Sequence, residues 1–212
     1  MKTILFQGDS ITDALRPREL NDYLGSGYAL MAAADLGVRY GSEVRVLNRG
    51  VSGDRISDVY ARIKKDGINL KPDVFSLFIG VNDVIHEWEL QNGVGTAAFE
   101  RMYDLLLDTV KEALPQVRFL LMAPFAVEGI ATCADGEQAG KWDYIKREVA
   151  DRAAVVEKMA AKHGAAFLPV QPIIDAGIAR YGAQAVTLDG VHPSALGHRL
   201  IADAWLEAYE KL

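Results

Sequence analysis

Short runs rich in apolar β-branched and aromatic residues alternate along this chain with longer segments of helical period, and that alternation constrains the fold more than any other feature. Five runs have strand length: Thr3 to Gln7, Glu43 to Leu47, Val74 to Ile79, Val117 to Ala123 and Ala166 to Val170. They read as strands covered on both faces. Helical segments follow as Gly27 to Tyr40, Ile56 to Lys65, Ala97 to Ala113, Tyr144 to Lys162 and Pro193 to about Tyr209. Parallel neighbours need a crossover, and right-handed crossovers put helices on both faces, so the expected class is α/β with a mostly parallel sheet. No linker, repeat or low-complexity tract divides the chain, and residues 1–212 read as one domain. Two stretches, Val84 to Gly95 and Phe125 to Lys141, read as long connections, a kind that often walls a site.

Composition removes several function classes. With 50% apolar residues over 212 positions the chain can bury a core without crosslinks, and one cysteine, Cys133, forms no internal disulfide. The formal charge of -6, from 29 acidic and 23 basic side chains, leaves no cationic surplus for a nucleic-acid backbone. The apolar start is too brief for a secretory signal, and no window has the length and apolarity of a membrane span. The expectation is a cytoplasmic protein with neither nucleic acid nor membrane as partner.

In open parallel sheets, ligands sit beyond the carboxyl ends of the strands. The loops there are Gly8-Asp9-Ser10-Ile11-Thr12-Asp13, Asn48-Arg49-Gly50-Val51-Ser52-Gly53-Asp54 and Gly80-Val81-Asn82-Asp83, with Asp189-Gly190-Val191-His192-Pro193 ahead of the last helix. Singly, each reads as a helix cap. Together they supply what acyl transfer needs. A serine hydroxyl attacks only when an imidazole removes its proton, and the imidazole needs a carboxylate to hold its tautomer and balance its charge. Ser10, His192 and Asp189 are those types, and the spacing of Asp189 and His192 lets one turn carry both base and orienter. Three donors on separate strand ends suit an oxyanion: the backbone N–H groups of Ser10 and Gly53, and the Asn82 amide.

These four blocks, in this order, resemble those of the SGNH hydrolases, also called GDSL esterases. The resemblance spans residues 8 to 198 and implies a three-layer α/β/α, flavodoxin-like fold with a five-stranded parallel sheet. It implies Ser10 as nucleophile, His192 as base and acid, Asp189 as orienter, and Ser10, Gly53 and Asn82 as the oxyanion hole, with no metal and no organic cofactor. Gly25-Ser26-Gly27-Tyr28, Met122-Ala123-Pro124-Phe125 with Glu128-Gly129, and Val191-His192-Pro193-Ser194 with Gly197-His198 are similar to the bacterial acetylxylan esterase branch. The implied substrate is a small-molecule ester, an acetylated carbohydrate such as a xylo-oligosaccharide.

Asp9, Asp54, Trp88 and Phe125 are candidate substrate contacts. Asp9 equally suits a helix cap, Asp54 and Arg55 a helix start, and Trp88, Phe125 and Trp142 either a sugar platform or an interface in a homo-oligomer. His163 fits a helix C-terminus, His198 lacks a local acid, and His86 with Asp83 and Glu87 reads as solvated more readily than as a metal set. Arg16, Arg18, Lys64 and Lys65 read as charges facing water. Two other functions fit parts of the pattern. A lipid or thioester acyl hydrolase needs an apolar slot, and a flavodoxin-like nucleotide or flavin binder would use Ser10 and Thr12 as phosphate ligands.

Overall fold

The computed structural model describes residues 1–133 and 139–212. Its strands are β1 (Lys2–Gly8), β2 (Val44–Asn48), β3 (Val74–Phe78), β4 (Arg118–Ala123) and β5 (Ala166–Pro169), joined as one parallel sheet in the order β2-β1-β3-β4-β5. The helices are α1 (Ser10–Asp13), α2 (Tyr28–Tyr40), α3 (Ile56–Asp66), α4 (Val81–Leu90), α5 (Thr96–Ala113), α6 (Lys141–His163), α7 (Val170–Tyr181), α8 (Ala183–Val186) and α9 (Ala195–Tyr209). None is long and apolar enough to cross a membrane among the described residues.

Side chains of a strand alternate between faces, and here both sets are buried. Ile4, Phe6, Val74, Phe78, Leu120 and Met122 pack with Tyr28 and Leu36 of α2, Ile174 of α7, and Ile201 and Trp205 of α9. Leu5, Phe75, Leu77, Phe119 and Leu121 pack on the other face with α3, α5 and α6, through Val59, Ile63, Phe99, Leu106, Val156 and Met159. The three layers follow from this double burial, which explains why the strands read as apolar runs. Among the polar groups inside, the Ser76 hydroxyl accepts the Trp205 indole N–H at 2.9 Å.

Three readings of the elements need correction. The stretch from Val84 is not a loop but most of α4, whose Val81, Val84 and Ile85 meet Ala126, Ile145 and Val149 in a third apolar cluster. Its period is too short to stand out against the charged residues that follow. The helix α7 begins directly after Pro169, so β5 stops before Val170; Pro172 lies in the first turn, where the missing N–H costs nothing. The last helix opens at Ala195, because the Ser194 hydroxyl caps it by accepting the Gly197 N–H at 3.1 Å, while Pro193 pairs with Thr187. Arg16 does not face water. It is buried, and its Nε donates to the Gly50 carbonyl at 3.0 Å.

The chain leaves β1 for β2 on one side and returns to β3 on the other. The direction of winding therefore reverses beside β1, the place where such sheets open a crevice.

Candidate active site

Three adjacent strands, β2, β1 and β3, deliver Gly53, Ser10 and Asn82 to this crevice. Ser10 opens the single turn of α1, which Asp9 caps by accepting the Ile11 N–H at 3.0 Å. Thr12 anchors that turn through its hydroxyl, 2.9 Å from the Tyr28 hydroxyl in the core. The Asn48 amide ties it to the end of β2, donating to the carbonyls of Thr12 at 2.6 Å and Leu24 at 2.8 Å. The nucleophile candidate thus sits on a backbone held from both sides.

His192 and Asp189 lie on one tight turn. Asp189 Oδ1 accepts the N–H groups of Val191 and His192 at 2.9 and 2.8 Å, and its Oδ2 lies 2.7 Å from His192 Nδ1. Burial works to raise the Asp189 carboxyl, but the His192 amide and imidazole and the Val191 amide outweigh it and hold the group below its usual range. On the other side of the ring, His192 Nε2 is 2.9 Å from Ser10 Oγ. A continuous hydrogen-bonded chain therefore runs from hydroxyl to imidazole to carboxylate. A carboxylate at Nδ1 keeps the proton there and leaves Nε2 free to accept from the serine.

The segment after β4 braces this turn. Val127 N–H donates to the Gly190 carbonyl and Ala131 N–H to the Asp189 carbonyl, both at 2.9 Å. Gly190 has φ +99°, and a Cβ there would stand 2.5 Å from the Val127 carbonyl oxygen, so no other residue fits the contact. Val191 is buried against α4 and α6. The expected wall from Phe125 to Lys141 is, in its described part, the support of the His192 turn; residues 134–138 lie outside the described residues.

The three donor candidates follow the carboxyl ends of the adjacent strands β1, β2 and β3. Among the described residues, neither the Ser10 nor the Gly53 N–H donates a hydrogen bond. Gly53 has φ +85°, the left-handed region that glycine favours, and open space where a Cβ would be. Asn82 spends one amide hydrogen on the Asp54 carbonyl at 3.1 Å, which fixes the side chain and leaves the second available.

Of the candidate substrate contacts, Phe125 is corrected outright: it is fully buried and packs on Phe78. Trp88 is half-buried with its ring against Tyr144, closing the seam between α4 and α6. Asp54 is buried and bonded to Arg62 at 2.6 Å, a tie inside the protein instead of a substrate contact. Asp58 Oδ2 accepts both the Arg55 backbone N–H at 2.9 Å and its Nε at 2.8 Å, which places Arg55 at the start of α3. Asp83 accepts the Ile56 N–H and Glu87 the Gly93 N–H, so neither is aimed at His86. His163 ends α6 beside Asp104, as its position before Gly164 suggests. His198 is half-buried next to the site and is pushed down to about 4 by burial and by neighbouring His192; its Nδ1 accepts the Tyr28 N–H, and among the described residues no carboxylate orients it as Asp189 orients His192.

Asp9 likewise turns inward. Burial pushes its carboxyl up to about 7, with the nearby Asp83 and Asp54 adding to the rise against the Ile11 N–H. A carboxyl raised in the folded state gives stability that is whole below its ordinary value of 3.8 and is lost as pH climbs to about 7. Asp9→Asn keeps the acceptor for Ile11. It is expected to match the unmodified protein near pH 4 and exceed its unfolding free energy at pH 8 by on the order of 3 kcal/mol. Denaturant melts at the two pH values check this, and an equal difference at both would reject it.

Comparison with known proteins follows the same outline. The pattern of the GDSL-like Lipase/Acylhydrolase family matches residues 6–200. An acetylxylan esterase of Geobacillus stearothermophilus is 33% identical over 210 residues, covering 96% of this chain and 91% of that one. The crystal structure of Axe2, an acetylxylan esterase from Geobacillus stearothermophilus, superposes with a TM-score of 0.83 at 30% identity, covering 98% of this chain and 93% of the other. A GDSL-like protein of Parabacteroides merdae superposes with a TM-score of 0.91 at 32% identity, covering 99% and 95%. Solved variants of the Geobacillus enzyme include a serine-to-alanine and an aspartate-to-alanine change, each described as catalytic. Likeness this extensive in sequence and in backbone places the chain in the GDSL-like lipase/acylhydrolase family of ester hydrolases.

Proposed function

We propose that the protein is a serine esterase that removes small acyl groups, acetyl foremost, from carbohydrate through an acyl-enzyme. The observation that carries the reading is the unbroken chain from Ser10 Oγ through His192 to Asp189, opening beside unengaged N–H groups of Ser10 and Gly53. Ser10 Oγ attacks the ester carbonyl while His192 Nε2 takes its proton. The tetrahedral oxyanion is met by the two backbone amides and Asn82, which act strongly because they are held in place before charge develops. Collapse expels the alcohol, protonated from His192, and leaves Ser10 acylated. Water, deprotonated by His192, then releases the acid and restores the hydroxyl.

The acetyl and carbohydrate parts rest on likeness to a relative named for acetylxylan. A long acyl chain finds less support. An apolar cavity of about 860 Å³ between α6 and α7 is lined by Ala126, Val127, Trp142, Val149, Phe167 and Pro172 among others, and by none of Ser10, Gly53, Asn82 or His192. A rate series over acyl length on one alcohol tests the reading. Turnover is expected to fall about tenfold or more once the acyl group exceeds a few carbons, since each misplaced methylene costs on the order of 1 kcal/mol or more. A rise toward long chains would favour a lipid acyl hydrolase. Release of acetate from acetylated xylo-oligosaccharides, compared with lysophospholipid cleavage, tests the alcohol part.

A further inference from the structure

The oxyanion donors come from three separate loops, and one side chain that touches no part of the hydrogen-bonded chain bonds to two of them and meets the third through Asp54. Arg62 projects from the middle of α3 with its side chain mostly buried. Its Nε donates to Asp54 Oδ2 at 2.7 Å, its Nη1 to the Arg49 carbonyl at 2.8 Å, and its Nη2 to Gln7 Oε1 at 2.7 Å and toward the Gly8 carbonyl at 3.4 Å. Asp66 lies one turn on, 3.5 Å from Nη1.

Each contact bears on a donor. Gln7 and Gly8 end β1, two residues ahead of Ser10, and Gly8 N–H also meets Gln7 Oε1 at 3.2 Å. Arg49 follows β2 on the way to Gly53. Asp54 is the next residue after Gly53, and its carbonyl is the one that accepts from the Asn82 amide. We infer that Arg62 is a positioning residue that sets the separation of the Ser10, Gly53 and Asn82 donors, through the ends of β1 and β2 and through Asp54. The inference rests on the serine-esterase reading and adds to it a group that meets neither substrate nor reacting atoms. Arginine's shape suits it to this task. A planar fork with five donors can hold several acceptors at fixed angles, whereas a lysine ammonium keeps the charge and loses the fork.

The test is steady-state hydrolysis of p-nitrophenyl acetate by Arg62→Lys, with Ser10→Ala as reference. A plain ion-pair role toward Asp54 would be rescued by lysine. A positioning role predicts that Arg62→Lys melts close to the unmodified protein, with kcat lower by about a hundredfold and KM changed by less than about threefold, because donors aligned for the oxyanion act on the transition state. Asp54→Ala removes the acceptor at the other end of the tie, and is expected to shift kcat the same way by about tenfold without a matching change in KM. A folded Arg62→Lys with unaltered kcat overturns the inference. Should Arg62→Lys not fold, unaltered kcat in a folded Asp54→Ala overturns it instead. Full activity in Ser10→Ala would overturn the serine reading and this inference with it, while an inactive Ser10→Ala beside an unaffected Arg62→Lys would overturn this inference alone.

Discussion

Replacing Ser10 with alanine is expected to lower kcat for an activated acetyl ester by about a millionfold, to the small residue that an oxyanion site alone supplies. Among the described residues, Ser10 Oγ makes one side-chain hydrogen bond, to His192 Nε2. The turn it opens is held by Asp9, Thr12 and the Asn48 amide, all intact in the variant. Alanine is a good helix former, so the melting temperature should stay within a few degrees. Initial rates with p-nitrophenyl acetate, together with a thermal melt, check both halves. A folded variant that keeps a tenth of its activity would remove Ser10 as nucleophile.

Asp189→Asn is expected to cost about ten-thousandfold in kcat while leaving the turn in place. The two carboxylate oxygens have separate duties. Oδ1 accepts the Val191 and His192 amides, which builds the turn, and Oδ2 faces His192 Nδ1. An asparagine can keep the first duty with its carbonyl oxygen. Its NH₂ then points at Nδ1 and donates, which forces the imidazole proton onto Nε2, and a protonated Nε2 cannot accept from Ser10. The variant is therefore predicted to fold normally, bind substrate normally and fail in the proton transfer. Rates and a melt measured together separate this from simple unfolding, and a loss of less than about tenfold would mean that the tautomer is set by something other than Asp189.

Much of this site is legible in the sequence, and the part that is not has a common cause. Ser10, Gly53, Asn82, Asp189 and His192 follow strand ends or precede the last helix, and both the position of a strand end and the chemical type of a residue can be read within a few positions. Trp88 and Phe125 look alike at that level. One packs half-buried on Tyr144 and the other lies wholly in the core against Phe78. Burial is a property of what the rest of the chain places around a residue. The helix α4 was obscured because its short apolar stripe is matched by partners on α6 and in the segment after β4, more than forty positions away.

Arg62 shows the same limit most clearly. With Asp58 and Asp66 four residues to either side, it resembles any solvated helix charge, and no local signal distinguishes it. Its partners Gln7 and Arg49 lie 55 and 13 positions away, as Ser10 and His192 lie 182 apart. The kinds of chemistry available to this chain, and the layered sheet that carries them, are written in residue types and their period, because both act over one turn or one strand. The pairing of groups, the raised Asp9 carboxyl and the three-way tie at Arg62 arise only on folding, because desolvation and hydrogen-bond geometry depend on atoms that the chain brings together from afar.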